Sequence, residues 1–104
     1  MKFLRDYQGS AVRLTEERLA HILEHPEMAG FEAAIQETLE YPEQVIQSLS
    51  DNRVRLHYRF YSATRVSGKF LCVVVKKGTN DSFVVTAYLT DKVKKGEMVW
   101  PVKS

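Results

Sequence analysis

From residue 53 to residue 62 the chain alternates strictly between two sets of side chains. Successive side chains on a strand point to opposite faces. The pattern therefore predicts one β-strand with Val54, Leu56, Tyr58 and Phe60 on one side and Arg53, Arg55, His57, Arg59 and Tyr61 on the other. The first set is built to be buried. The second, an Arg/His/Tyr face left open, suits an anionic partner, phosphate above all. A charged outward face also keeps an edge strand soluble, which is the alternative reading of the same pattern.

Downstream, Lys69 to Lys77 is apolar on both faces and predicts the central strand. Ser82 to Leu89 alternates again, setting Phe83, Val85, Ala87 and Leu89 against Val84, Thr86 and Tyr88. With the first of these sets turned toward the helices, Thr86 and Tyr88 look out with the arginines. The tail from Asp91 to Ser104 is basic at Lys92, Lys94 and Lys95, and Trp100 within it is expected to pack against the sheet edge.

Upstream, residues 11 to 14 read as a short first strand. Thr15 predicts a helix N-cap, with Glu16 and Glu17 at the positive end of the helix dipole, and the helix runs to about His25 before Pro26 stops it. Leu19, Ile22 and Leu23 form its buried stripe; Glu17, His21 and Glu24 face away, with Arg18 and His25 on the margin. A second helix fits from Phe31 to about Glu40, with Phe31, Ala34, Ile35 and Leu39 on one face and Pro42 after its end. Val45, Ile46 and Leu49 suggest an irregular strand or a helical turn. Ser50-Asp51-Asn52 then turns the chain into the cationic strand. The expected architecture is one α+β domain over residues 1–104: a short N-terminal strand and two helices packed on one face of a three- to four-stranded antiparallel sheet.

Composition narrows the class. A chain of 104 residues, 44% apolar and 27% charged, matches one soluble globular domain. Its single cysteine, Cys72, lies in an apolar run where a buried, inert thiol is expected. No stretch is apolar enough for a signal peptide or a membrane span, so a cytoplasmic, membrane-free setting is expected. The net charge of +2 hides a division: residues 1–52 carry four Lys/Arg against ten Asp/Glu, a net −6, and residues 53–104 carry eleven against three, a net +8. Such asymmetry points to nucleic acid, a membrane surface or an acidic partner, or else to two faces that neutralise each other at their seam.

Several strings, in order, resemble the small nuclease-like superfamily that groups barnase, EndoU, the colicin tRNA nucleases and RelE-type toxins. The likeness is greatest to its phage-associated and bacterial members of unknown function. The strings are Leu14 to Met28, Thr38 to Val45, His57-Tyr-Arg, Lys69 to Lys76, and Val85 to Asp91 followed by Lys95-Gly96; together they span about residues 13 to 101. The resemblance implies a RelE/barnase-like fold, metal-independent RNA cleavage without a cofactor, and an antitoxin or immunity protein as a partner. It also implies a site built from a helix histidine and polar or basic strand residues, which fall here on His21, Arg59, Thr86 and Tyr88. The modest net charge departs from the densely basic surfaces of RelE-type toxins.

The residues themselves supply the chemistry such cleavage needs: a base for the 2′-hydroxyl, an acid for the leaving oxygen, and cations or donors for the phosphate. His21 is the base or acid, with Glu17 one turn earlier; Arg59 and Lys69 hold phosphate; Thr86 and Tyr88 donate. Arg53, Arg55, His57 and Tyr61 complete the substrate-binding set, Tyr61 by stacking on a base. His21-Ile22-Leu23-Glu24-His25 also matches the short H-x-x-E-H zinc signature, but so loose a pattern arises by chance, a working site also needs a third ligand and a substrate cleft, and Pro26 breaks the helix right after His25, so no metal is expected. Two further readings stay open: a catalytically silent member that binds RNA or an acidic protein through the same face, and a structural protein with no nucleic-acid role.

Overall fold

The computed structural model describes residues 1–102; the last two residues of the basic tail lie outside them. In chain order the elements are β1 (Lys2–Arg5), β2 (Ala11–Leu14), α1 (Glu16–Leu23), a 3₁₀ turn (Pro26–Met28), α2 (Glu32–Glu40), β3 (Gln44–Gln47), β4 (Val54–Tyr61), β5 (Lys69–Lys77), β6 (Ser82–Thr90) and β7 (Glu97–Trp100). All seven strands join one sheet in the order β1-β2-β6-β5-β4-β3-β7. Every pairing is antiparallel except β2 with β6, which is parallel at Val12↔Ser82 and Arg13↔Phe83.

This corrects the expected fold class. The fold is α+β, but its sheet is mixed and seven-stranded instead of antiparallel with three or four strands. The additions are β1 and β7, and the segment at Val45 and Ile46, open between an irregular strand and a helical turn, is the strand β3; each of the three has only four residues and is completed by a partner distant in the sequence or by a turn. The three long strands fall where alternation puts them. Thr15 caps α1 by accepting from the Arg18 N–H at 3.1 Å, and the helix ends at Leu23, two residues before the expected stop at His25.

Both helices lie on one face, the front. Ile22 of α1 and Ile35 and Leu39 of α2 pack with Leu71 and Val73 of β5 and Ala87 of β6 in a single buried cluster. Each of the buried Ile, Leu and Val side chains contributes about 1.5–3 kcal/mol, and the smaller Ala87 less. The exposed pair between Lys2 and Glu32 adds at most about 1 kcal/mol. Apolar burial therefore decides how the helices sit.

A second correction concerns which side of β4 faces which way. His57 lies opposite Val73 and Tyr58 opposite Cys72. Directly opposed residues share a face, so Arg55, His57, Arg59 and Tyr61 are on the helix side, and Leu56, Tyr58 and Phe60 are on the rear. The apolar set of β4 thus joins a rear cluster of Ile46, Leu56, Tyr58 and Cys72, covered by Val93 from the loop after β6. Of the arginines on this front face, Arg59 lies against α2 and Arg55 beneath the β1–β2 turn.

The sheet curls strongly. The turn between β1 and β2 reaches the opposite edge, where the Tyr7 ring lies 5.4 Å from the Trp100 ring of β7. No helix among the described residues is long and apolar enough to cross a membrane.

Candidate functional site

The turn from Asp6 to Ser10 is the roof of the site. Asp6 Oδ1 accepts from the N–H groups of Gln8 and Ser10, both at 2.9 Å, and Gly9 takes φ +81°, a left-handed conformation that costs glycine little. The turn is held by its own hydrogen bonds, and it places Tyr7 and Gln8 over β4. Arg55 donates from Nη1 to the Tyr7 hydroxyl at 3.1 Å and lies 3.4 Å from the Gln8 side-chain oxygen.

Beneath this roof is a polar cavity of about 420 Å³ on the front of the sheet. Arg53 of the turn before β4, Arg55 and His57 of β4, Lys77 of β5 and Asp6 of the β1–β2 turn line it. Arg55 and Lys77 have no carboxylate within ion-pair distance among the described residues, while Arg53 shares Asp51 with Lys76. Asp6 spends one oxygen on its own turn. Positive charge therefore exceeds negative around the cavity, and the guanidinium forks match the geometry of a phosphate.

His57 forms the inner wall and is only 2% exposed. Its Nδ1 is 3.2 Å from the Val73 carbonyl oxygen, an acceptor only, so Nδ1 carries the hydrogen and donates it. Nε2 has no hydrogen-bond partner at normal geometry. Every fully buried side-chain nitrogen and oxygen among the described residues has one, so Nε2 is not fully sealed from solvent, and His57 lines the cavity. Burial pushes its pKa down from 6.5 to about 4, opposed by the Val73 carbonyl, Asp6 and the Arg55 backbone and aided by the Arg55 charge. The imidazole is neutral at neutral pH and lines a cationic cavity. The edge of the Tyr7 ring rests against it at 5.9 Å. Burial also raises the Tyr7 hydroxyl pKa, with Arg55 working against it.

The residues singled out from the sequence fall into separate places. Arg53, Arg55 and His57 meet in the cavity. Arg59 and Tyr61 tie β4 to α2: Arg59 donates from Nη1 to the Tyr41 carbonyl at 2.8 Å and approaches Glu37 at 3.5 Å, while the Tyr61 hydroxyl donates to Glu37 at 2.6 Å. Burial drives the Tyr61 pKa up to about 12. Lys69 pairs with Asp91.

Thr86 and Tyr88 stand opposite Val74 and Cys72, which puts them on the rear of the sheet, away from Arg59. His21 points outward from α1, 4.0 Å from Glu17 and 3.7 Å from Glu24, and lines none of the cavities. The four positions proposed as catalytic thus do not share one groove. Among the described residues no three His, Cys, Asp or Glu side chains converge on a cation site, and His25 of the H-x-x-E-H string faces Glu27.

Sequence reasoning passed over Tyr7, Gln8 and Lys77. A signal for each was present: Asp6-Tyr-Gln-Gly-Ser10 is a turn string between two short runs, and period two from Val73 and Val75 carries Lys77 to the same face as His57. No protein-family model matches the chain, and no curated protein or solved structure is significantly similar to it. The nuclease-like resemblance rests on the strings alone.

Proposed function

We propose that the chain binds single-stranded RNA, with a backbone phosphate in the cavity beneath the Asp6–Ser10 turn. The observation that supports this is the meeting of Arg53, Arg55 and Lys77 around one polar cavity of nucleotide size. The rings of Tyr7 and Trp100 next to it add what single strands use besides charge, an aromatic surface for a base; Trp100 is 38% exposed.

A specific observation favours cleavage as a second reading. A neutral His57 with Nδ1–H fixed on a carbonyl and Nε2 free is the form in which a histidine accepts a proton from a 2′-hydroxyl, with the arginines stabilising charge on the phosphate. In this reading His57 takes the role that the resemblance gave to His21.

The experiment is fluorescence anisotropy of a labelled single-stranded RNA at rising salt, with a cleavage assay in EDTA on the same samples. Binding should weaken steeply with salt and be lost when Arg53 and Arg55 are both changed to Ala. Unchanged affinity in that variant overturns the site. Cleavage that His57→Gln abolishes and His21→Ala leaves intact supports the second reading; binding without cleavage leaves the first alone.

A further inference from the structure

β5 is apolar on both faces, and the helices cover only its front. There α1 and α2 bury Leu71 and Val73. On the rear the loop after β6 lays Val93 over Tyr58 and Cys72, and its Lys94 N–H donates to the Tyr58 hydroxyl at 3.1 Å. Past that loop a groove of about 390 Å³ crosses β4, β5 and β6, floored by Leu56 and Val74 and bordered by Thr86 and Tyr88. Leu49, in the turn before β4, stands at its margin 80% exposed.

The rim is cationic. Lys94 and Lys95 line the groove, both are exposed, and neither has an acidic partner among the described residues. Lys2, Arg13, Arg53, Arg59, Lys69 and Lys76 sit within ion-pair distance of a carboxylate, whereas Lys94 and Lys95, like Arg55 and Lys77 on the front, keep their charge open to a partner. An apolar floor inside a charged rim is the anatomy of a protein interface. No arginine lines the groove, which sets it apart from the RNA cavity on the other face.

We propose that this rear groove docks an acidic amphipathic segment of another protein. The segment lays an apolar side chain on Leu56 and Val74, beside Leu49, and sets Asp or Glu against Lys94 and Lys95. A second copy of the chain fits less well. Its acidic side is the helix face, and helix face on sheet rear is a head-to-tail contact that propagates instead of closing.

The test uses the whole protein with labelled Leu and Val methyl groups, followed by NMR. The probes are a synthetic peptide with Leu at helical spacing among Glu residues, its scrambled form, and a short oligouridylate. The methyls of Leu49, Leu56 and Val74 should shift with the peptide and much less with the other two. Affinity should fall about tenfold in Lys94→Glu/Lys95→Glu, whose substitutions are both on the surface. Four outcomes overturn the proposal: no shift of these methyls, equal affinity in the variant, a stronger response to the oligouridylate, or concentration-dependent self-association that the variant abolishes. RNA binding at the front cavity is read separately, so either site can fail alone.

Discussion

The ring of Tyr7 rests 5.4 Å from that of Trp100, although the turn that carries Tyr7 joins the two strands at one edge of the sheet and Trp100 lies in the strand at the other. The contact fastens the curl and sets the roof over His57 and Arg55. Trp100 is the sole tryptophan, so its fluorescence reports on this contact. Tyr7→Ala should raise acrylamide quenching of Trp100 and lower stability by about 1 kcal/mol, the worth of one aromatic pair. Tyr7→Phe keeps the ring and should leave quenching as it is. Equal quenching in all three proteins would mean that the rings do not meet in solution.

The buried His57 makes stability depend on pH. Its folded pKa, about 4, lies below the unfolded value of 6.5, so between the two the unfolded chain binds more protons. The stabilisation is fully present above the unfolded value and is lost as pH falls toward the folded one, up to about 3 kcal/mol in all. Urea midpoints compared at about pH 7 and about pH 4.5 should fall more in the wild type than in His57→Gln. Parallel declines would show that His57 titrates normally.

Arg55 and Arg59 share one face of β4, with His57 between them, and have different jobs. Arg59→Ala frees the Tyr41 carbonyl and Glu37, and should lower stability by about 1–2 kcal/mol while leaving RNA affinity within twofold or so. Arg55→Ala should do the reverse, weakening binding and flattening its salt dependence by about one charge. Loss of RNA affinity in Arg59→Ala with Arg55→Ala unaffected would move the site to the α2 seam.

A methyl group on Gly96 would lie 2.5 Å from both the Gln47 carbonyl oxygen and Ile46 Cγ2. Neither backbone nor a β-branched core side chain yields easily, so Gly96→Ala should cost more than about 2 kcal/mol and loosen β7 from β3. Amide exchange along Glu97–Trp100 measures this directly. Wild-type protection there would show that the loop has room to spare.

The long strands and both helices could be read from the chain because each carries its own pattern: Val54 to Tyr61 alternates, Lys69 to Lys77 is a continuous apolar run, and Leu19, Ile22 and Leu23 in one helix and Ile35 and Leu39 in the other stand at helical spacing. Lys2–Arg5, Gln44–Gln47 and Glu97–Trp100 carry too few residues to show a period, and their pairing is decided by what lies beside them. Alternation shows which residues share a face, but not which face receives the helices. Since β5 is apolar on both sides, nothing local told His57 from Tyr58 as the helix-side residue. The cavity was half legible for the same reason: Arg53, Arg55 and His57 came from one strand, whereas Tyr7 and Gln8 arrive by tertiary contact.

The parallel seam between β2 and β6 also bears on the order in which the molecule assembles. Val12 must wait for Ser82, and nearly 70 residues separate them. On the ribosome, where synthesis proceeds at about 5–20 residues per second, the N-terminal hairpin spends several seconds without its neighbour. The β4–β5–β6 meander can zip by local hairpins, so it is the natural nucleus, and the first strands are recruited to it last. Until then the roof of the cavity does not exist, and a nascent chain has no binding site.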